Sequence, residues 1–185
     1  MVRPRNDGLR AAIADAAYDL FRDLGYDRTS YTLIAERCGV TRALVQYHWP
    51  KKELLAIEAM TRMLDETIER LGLPDKANGG ESDHNDLVAI GSSFFDRLLS
   101  DEGWRRFLLD ILSSRELSDQ VLVFNARWAF DYVGHAPRDE AFDEIVVNMG
   151  GFYELLYYKL RHGLTIDVKP RLRVVVDGFM RSMRG

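Results

Sequence analysis

Apolar residues return at every third or fourth position along most of this 185-residue chain, and that spacing leaves little room for anything but α-helix. Leu9, Ile13, Ala16, Ala17, Leu20, Phe21 and Leu24 form one stripe and predict a first helix from about Asp7 to Leu24. At the far end Leu172, Val175, Val176, Phe179, Met180 and Met183 form another, predicting a helix over 169–184. Glycine, proline and hydroxyl residues punctuate the interval. Gly25 stops the first helix, and the Thr29-Ser30 pair can cap a second that ends at Gly39. Thr41 can cap a short third helix running to His48, and Pro50 forbids its smooth continuation. A fourth runs from Lys51 to about Leu71. After a loop from Gly72 to Asp83, further helices are predicted at 85–100, 103–115, 118–134 and 138–162. The fold class is therefore all-α.

Composition narrows the function classes. No run approaches the ~18 apolar residues of a membrane span, and the N-terminus leads into an amphipathic pattern rather than an apolar block. The single cysteine, Cys38, excludes an internal disulfide and fits a reducing cytoplasm. The net charge of −4 looks unpromising for a nucleic-acid partner, but the charge is unevenly spread. Residues 1–52 hold nine basic and six acidic residues, a net +3, against −7 for the remainder. A basic head on an acidic body directs a phosphate backbone to one end.

Residues 35–45 hold the most specific pattern. Ala35 is small where two short helices would cross, Gly39 supplies the turn, and Ile34, Cys38, Val40 and Val45 can close a miniature core. That is the helix-turn-helix arrangement, for which a plain helical hairpin is the bland alternative. It divides the chain into a helix-turn-helix head, 1–52, and a larger helical-bundle body, 53–185.

Gly25-Tyr26-Asp27-Arg28-Thr29-Ser30-Tyr31-Thr32-Leu33-Ile34-Ala35-Glu36-Arg37-Cys38-Gly39-Val40-Thr41, followed by Tyr47-His48-Trp49-Pro50-Lys51-Lys52-Glu53-Leu54, resembles the N-terminal domain of the TetR family of transcriptional regulators. The likeness covers roughly residues 8–55. It implies a three-helix DNA-binding head, a dimerising helical body with a pocket for a small effector, no cofactor, no enzymatic activity, and repression as the expected mode. The recognition helix would be Thr41–His48. With Val45 inward, Arg42, Ala43 and Gln46 face the major groove, where Arg42 suits guanine and Gln46 suits adenine. Thr29, Ser30, Tyr31, Thr32, Thr41, Tyr47 and Lys52 are donors suited to phosphates, and His48 either packs or touches phosphate. Many relatives have Leu-Tyr where this chain has Val45-Gln46, which leaves the DNA-facing role intact but puts the target sequence in doubt. Trp49 replaces the usual Phe and reads as a core plug.

Elsewhere the signals are weaker. Cys38 reads as a buried, inert thiol, and His84 near Asp83 and Asp86 as a solvated cap without metal-ligand spacing. His135 and His162 sit near helix ends, and Gly150-Gly151 suggests close helix approach or a kink. The body is richer in aromatics than a small bundle needs, which points to a largely apolar pocket drawing on Phe94, Trp104, Phe107, Trp128 and Phe152. The stripe carrying Leu172, Val176, Phe179 and Met183 is too apolar for water and suggests a homodimer interface. The rival reading is a helical small-molecule-binding protein or enzyme that does not bind DNA, whose mark would be polar groups converging in the body. None is legible.

Overall fold

The computed structural model describes residues 4–73, 84–136 and 138–183. Among these the chain forms nine α-helices and no strand: α1 (Pro4–Leu24), α2 (Tyr31–Cys38), α3 (Arg42–His48), α4 (Lys52–Leu71), α5 (His84–Ser100), α6 (Glu102–Ser113), α7 (Arg115–Val133), α8 (Asp139–Arg161) and α9 (Val168–Ser182). Of the loop expected after Leu71, residues 74–83 lie outside the described residues. None of the described helices is long and apolar enough to cross a membrane.

Short polar residues set the helix starts. Ser30, Thr41, Asp101 and Ser114 each accept a hydrogen bond from the backbone N–H three residues on, satisfying donors that the helix itself leaves open. Each cap is worth about 1 kcal/mol. Ser114 explains a displaced boundary in the body. Two helices separated at 116–117 are expected from the apolar pattern. The break is instead Ser114 alone, whose N–H closes α6 on Ile111 while its hydroxyl oxygen opens α7.

α1, α2 and α3 form a small head, with α2 packed on both of the others. In the body, α5 lies against α4, α6 and α9, and α8 against α6, α7 and α9. The buried apolar residues make one cluster reaching from Ile13 to Phe179. Head and body share it because α1 lies along α6. Phe21 packs on Phe107 with ring centroids 5.3 Å apart, and Tyr18 meets Trp104 edge-on at 4.7 Å. At Gly103 a Cβ would stand 2.0 Å from the Arg22 carbonyl oxygen, so only glycine admits this approach. Polar contacts run along the seam. Arg22 pairs with Asp101 at 2.7 Å, and the Arg106 guanidinium donates to the Asp23 carbonyl at 3.0 Å.

A second tie joins α1 to α4 and α5. Arg62 holds Asp15 and Glu66 (both 2.9 Å) and lies 4.4 Å over the Tyr18 ring, while Arg97 reaches Glu66 at 2.7 Å and donates to the Tyr18 hydroxyl at 2.8 Å. Burial pushes the Glu66 carboxyl up, but Arg62 and Arg97 outweigh it and leave it below its usual range.

Candidate nucleic-acid interface

The turn between α2 and α3 begins at Gly39, whose φ of 66° lies in the left-handed region that favours glycine. There the N–H groups of Gly39 and Val40 reach back to the carbonyls of Glu36 and Ala35, closing α2. Ile34, Ala35 and Val45 are buried beneath the turn. Burial of Val45 fixes the rotation of α3 about its axis. Its neighbours Arg42, Ala43, Gln46 and Tyr47 are consequently exposed, Tyr47 by 72%. A short helix carrying a guanidinium, a small residue, a carboxamide and a phenol on one outward face has the size and chemistry of a major-groove reader.

The expected phosphate donors separate into two groups. Ser30, Thr32, Thr41 and Tyr47 are exposed. Ser30 and Thr41 accept from backbone through oxygen and keep a hydroxyl proton to donate outward. Thr29, Tyr31 and Lys52 do not fit the expectation. Thr29 is fully buried and donates to the Gly25 carbonyl at 2.7 Å. Tyr31 spends its hydroxyl proton on the Trp49 carbonyl at 2.8 Å, which ties α2 to the end of α3. Lys52 donates to the carbonyls of Tyr26 (2.9 Å) and Thr29 (3.0 Å) with its ammonium 3.9 Å from the Tyr26 ring centroid. Burial lowers its pKa, partly offset by Asp27, Glu53 and Asp110. These three shape the head from within. Lys51, which the sequence reading passed over, is exposed at the start of α4. His48 is half-buried with Nε2 unpartnered among the described residues, and Trp49 is the expected core plug, 3% exposed beneath the Arg10 guanidinium. Cys38 is half-buried rather than buried. Its thiol faces the Ala12 carbonyl at 3.6 Å, and burial pushes its pKa up, which disfavours the reactive thiolate.

The segment between α1 and α2 is clasped from two sides. Lys52 holds its carbonyls from α4, and Asp110 on α6 accepts from the backbone N–H groups of Asp27 (3.2 Å) and Tyr26. Burial pushes the Asp110 carboxyl above its usual range, against those hydrogen bonds. Nothing in the apolar pattern marks Asp110, because its partners are backbone atoms 83 residues away.

In the body, Phe94 and Trp128 do line a cavity, together with Phe95, Asn125, Met149 and residues of α9. Its volume is about 70 Å³. Three of the aromatics expected there lie elsewhere. Trp104 and Phe107 belong to the α1–α6 seam, and Phe152 sits edge-on behind Phe95 at 5.0 Å. The dimer assignment on α9 is also displaced. Leu172, Val176 and Phe179 are 3%, 9% and 2% exposed within a single copy and line this same cavity, while Met183 packs half-buried against the core. The stripe is apolar because it closes its own core. His84 pairs with Asp177 of α9 rather than standing as a solvated cap. Gly150 faces Leu122 at an ordinary 3.7 Å and Gly151 meets open space, so neither marks an enforced close approach.

A three-helix head with α3 exposed on its outside, joined through α1 and α4 to a larger helical body, is a helix-turn-helix arrangement on a helical bundle. Residues 13–59 match the family described as bacterial regulatory proteins, tetR family. An uncharacterised HTH-type transcriptional regulator, YdeS of Bacillus subtilis (strain 168), is 35% identical over 119 residues, 64% of this chain, and the chain spans 56% of that relative's length. A TetR transcriptional regulator from Rhodococcus sp. RHA1 has the same fold, with a TM-score of 0.64 at 16% identity over 97% of this chain and 98% of that one. SmeT, the repressor of the Stenotrophomonas maltophilia multidrug efflux pump SmeDEF, also shares it, with a TM-score of 0.54 at 20% identity over 94% and 89% of the two chains. Residues 13–59 thus match the tetR family of bacterial regulatory proteins, and the fold of the described residues is shared with solved structures of such regulators.

Proposed function

We propose that this chain is a cytoplasmic transcriptional repressor that binds a near-palindromic double-stranded DNA operator as a homodimer and is released by a small, largely apolar effector. The observation that carries the reading is α3: Arg42, Ala43, Gln46 and Tyr47 exposed on a Thr41-capped helix whose rotation is set by buried Val45. Arg42 and Gln46 read base edges, while Ser30, Thr32, Thr41, Tyr47 and Lys51 hold phosphates. The basic head, residues 1–52, supplies the electrostatic attraction, and the body, 53–185, supplies dimerisation and the effector site.

Two half-sites about 34–36 Å apart call for a two-fold protein. Support for the pairing surface lies on the outer faces of α8 and α9. Val147 (72% exposed), Tyr158 (56%) and Val174 (55%) are large apolar residues facing outward, with Gly151 between the first two. The exposed rim of α8 is acidic at Glu140, Asp143, Glu144 and Glu154, and that of α9 is basic at Lys169, Arg171, Arg173 and Arg181. A two-fold axis that sets α8 of one copy against α9 of the other pairs these charges twice. The test is selection of bound sequences from a random DNA pool. An enriched two-fold motif supports the reading, and loss of preference at one base pair per half-site in Arg42→Ala assigns the reader. Absence of any enriched sequence sinks it.

A further inference from the structure

We propose that the effector site is built as two chambers divided by the Trp128 side chain, and that its occupant is an uncharged amphipathic molecule with a flat apolar end. This rests on the effector reading above. Trp128, half-buried on α7, lines the inner cavity of about 70 Å³ and also an outer groove of about 630 Å³ between α4 and α7. The inner cavity is too small alone, and the groove, though of ordinary ligand size, is not enclosed. The inner cavity is about half the ~150 Å³ that accommodates benzene in a protein core, and the groove is open to water on one side. Joined, they make a site closed at one end and accessible at the other. Trp128 is the residue common to both linings, and its ring is stacked on Tyr132 one helical turn away with centroids 5.2 Å apart. A change of side-chain rotamer moves it without disturbing the helix.

The polar groups decide the chemistry. In the groove Asp119 pairs with Arg115 at 3.2 Å, leaving Arg127 and Asp131, whose opposite charges favour neither an anionic nor a cationic head group. Gln120 and Thr61 offer neutral hydrogen bonds there. Inside, Asn125 is the one carboxamide among aliphatic and aromatic walls, donating one amide proton to the Tyr153 hydroxyl and retaining its second amide proton and its carbonyl oxygen for a ligand. A charge buried among such walls would be unpaired and costly. The position couples the site to DNA. Ile57 and Thr61 form the α4 wall, and α4 follows the recognition helix after only residues 49–51. A molecule seated between α4 and α7 therefore bears on the helix that carries the reading head, and its binding and DNA binding become linked.

The experiment uses the full-length protein without DNA and N-phenyl-1-naphthylamine, an uncharged flat dye whose emission rises on apolar burial. Removing the partition in Trp128→Ala should tighten dye binding about five-fold. Filling the inner chamber with Ala129→Leu should weaken it about ten-fold, and the sulfonated relative 8-anilinonaphthalene-1-sulfonate should bind more weakly than the neutral dye. Circular dichroism melts establish that each variant is folded. If Ala129→Leu is not, Ala129→Val fills part of the same space and carries the same sign. Dye affinity unchanged by both the Trp128 and Ala129 substitutions overturns the two-chamber site, and preference for the sulfonate overturns the uncharged occupant. Dye binding as expected with no effect on DNA affinity would instead sink the effector reading and leave the site standing.

Discussion

Arg42 and Gln46 stand one turn apart on the exposed side of α3, while Val45 beside them is wholly buried. On that difference in burial rests the proposal that they read bases. Arg42→Ala or Gln46→Ala is expected to cost about 1–3 kcal/mol at one base pair and to relax preference there, whereas Lys51→Ala should weaken all sequences alike and lower the salt slope by about one. Binding measured across a panel of single-base operator variants at several salt concentrations separates the two behaviours. If Arg42→Ala leaves the sequence preference intact, α3 is not the reader. Asp110 makes a different kind of prediction. Its folded-state pKa is raised, chiefly by burial, so the folded protein holds that proton at pH values where the unfolded chain has lost it. The associated stability is present in acid and is lost as pH rises from the ordinary carboxylate value toward the raised one. Thermal melts of wild type and Asp110→Asn, compared pH by pH, should show the wild-type advantage shrinking across that window. A constant difference would contradict the assignment.

At the scale of elements, the seam between α1 and α6 decides how firmly the head is held. Gly103→Ala forces a methyl against the Arg22 carbonyl and should cost about 1–3 kcal/mol, seen as a lower denaturation midpoint with an unchanged slope. A neutral outcome would mean that α1 and α6 can slide apart freely. The tie through Glu66 behaves in the opposite sense to Asp110. Its carboxyl pKa is lowered by the two arginines despite burial, so its contribution is present above the ordinary carboxylate value and is lost as pH falls through the depressed one. Because Glu66 is only partly shielded, Glu66→Gln should cost about 0.5–1 kcal/mol near neutrality, and less in acid. Chemical denaturation at two pH values checks both the size and the sign.

For the whole molecule, the outer faces of α8 and α9 and the inner stripe of α9 carry opposite expectations. Val147→Glu with Val174→Glu places charge on exposed positions of the proposed pairing surface. The variant should remain folded, sediment as a monomer, and bind operator far more weakly, because one head alone meets half the phosphates. Val176→Glu buries a charge in the core of a single copy and should unfold the protein instead. An unaltered dimer after the Val147 and Val174 changes, as read by sedimentation, would remove α8 and α9 from the interface.

Much of this molecule is decided within short stretches of chain. Helix existence follows from the three-to-four spacing, and helix starts follow from Ser30, Thr41 and Asp101 bonding three residues ahead. The turn at Gly39 and the outward face of α3 follow from residues within a dozen positions of one another. These are local interactions, so the sequence alone determined them. Which partner an apolar face finds is a different matter, since a stripe such as Leu172, Val176 and Phe179 looks the same whether it meets a second copy or its own core. The tertiary structure turned it inward, against α5 and α8, and left Val147 and Val174 outside. It likewise moved Trp104 and Phe107 from the expected pocket to the head seam, and converted Lys52 and Tyr31 from phosphate donors into ties within the head. The physical reason is common to all of these. Hydrophobic burial is non-directional, and a side-chain donor can donate to any carbonyl brought within reach, so only the packing of distant segments selects the partner.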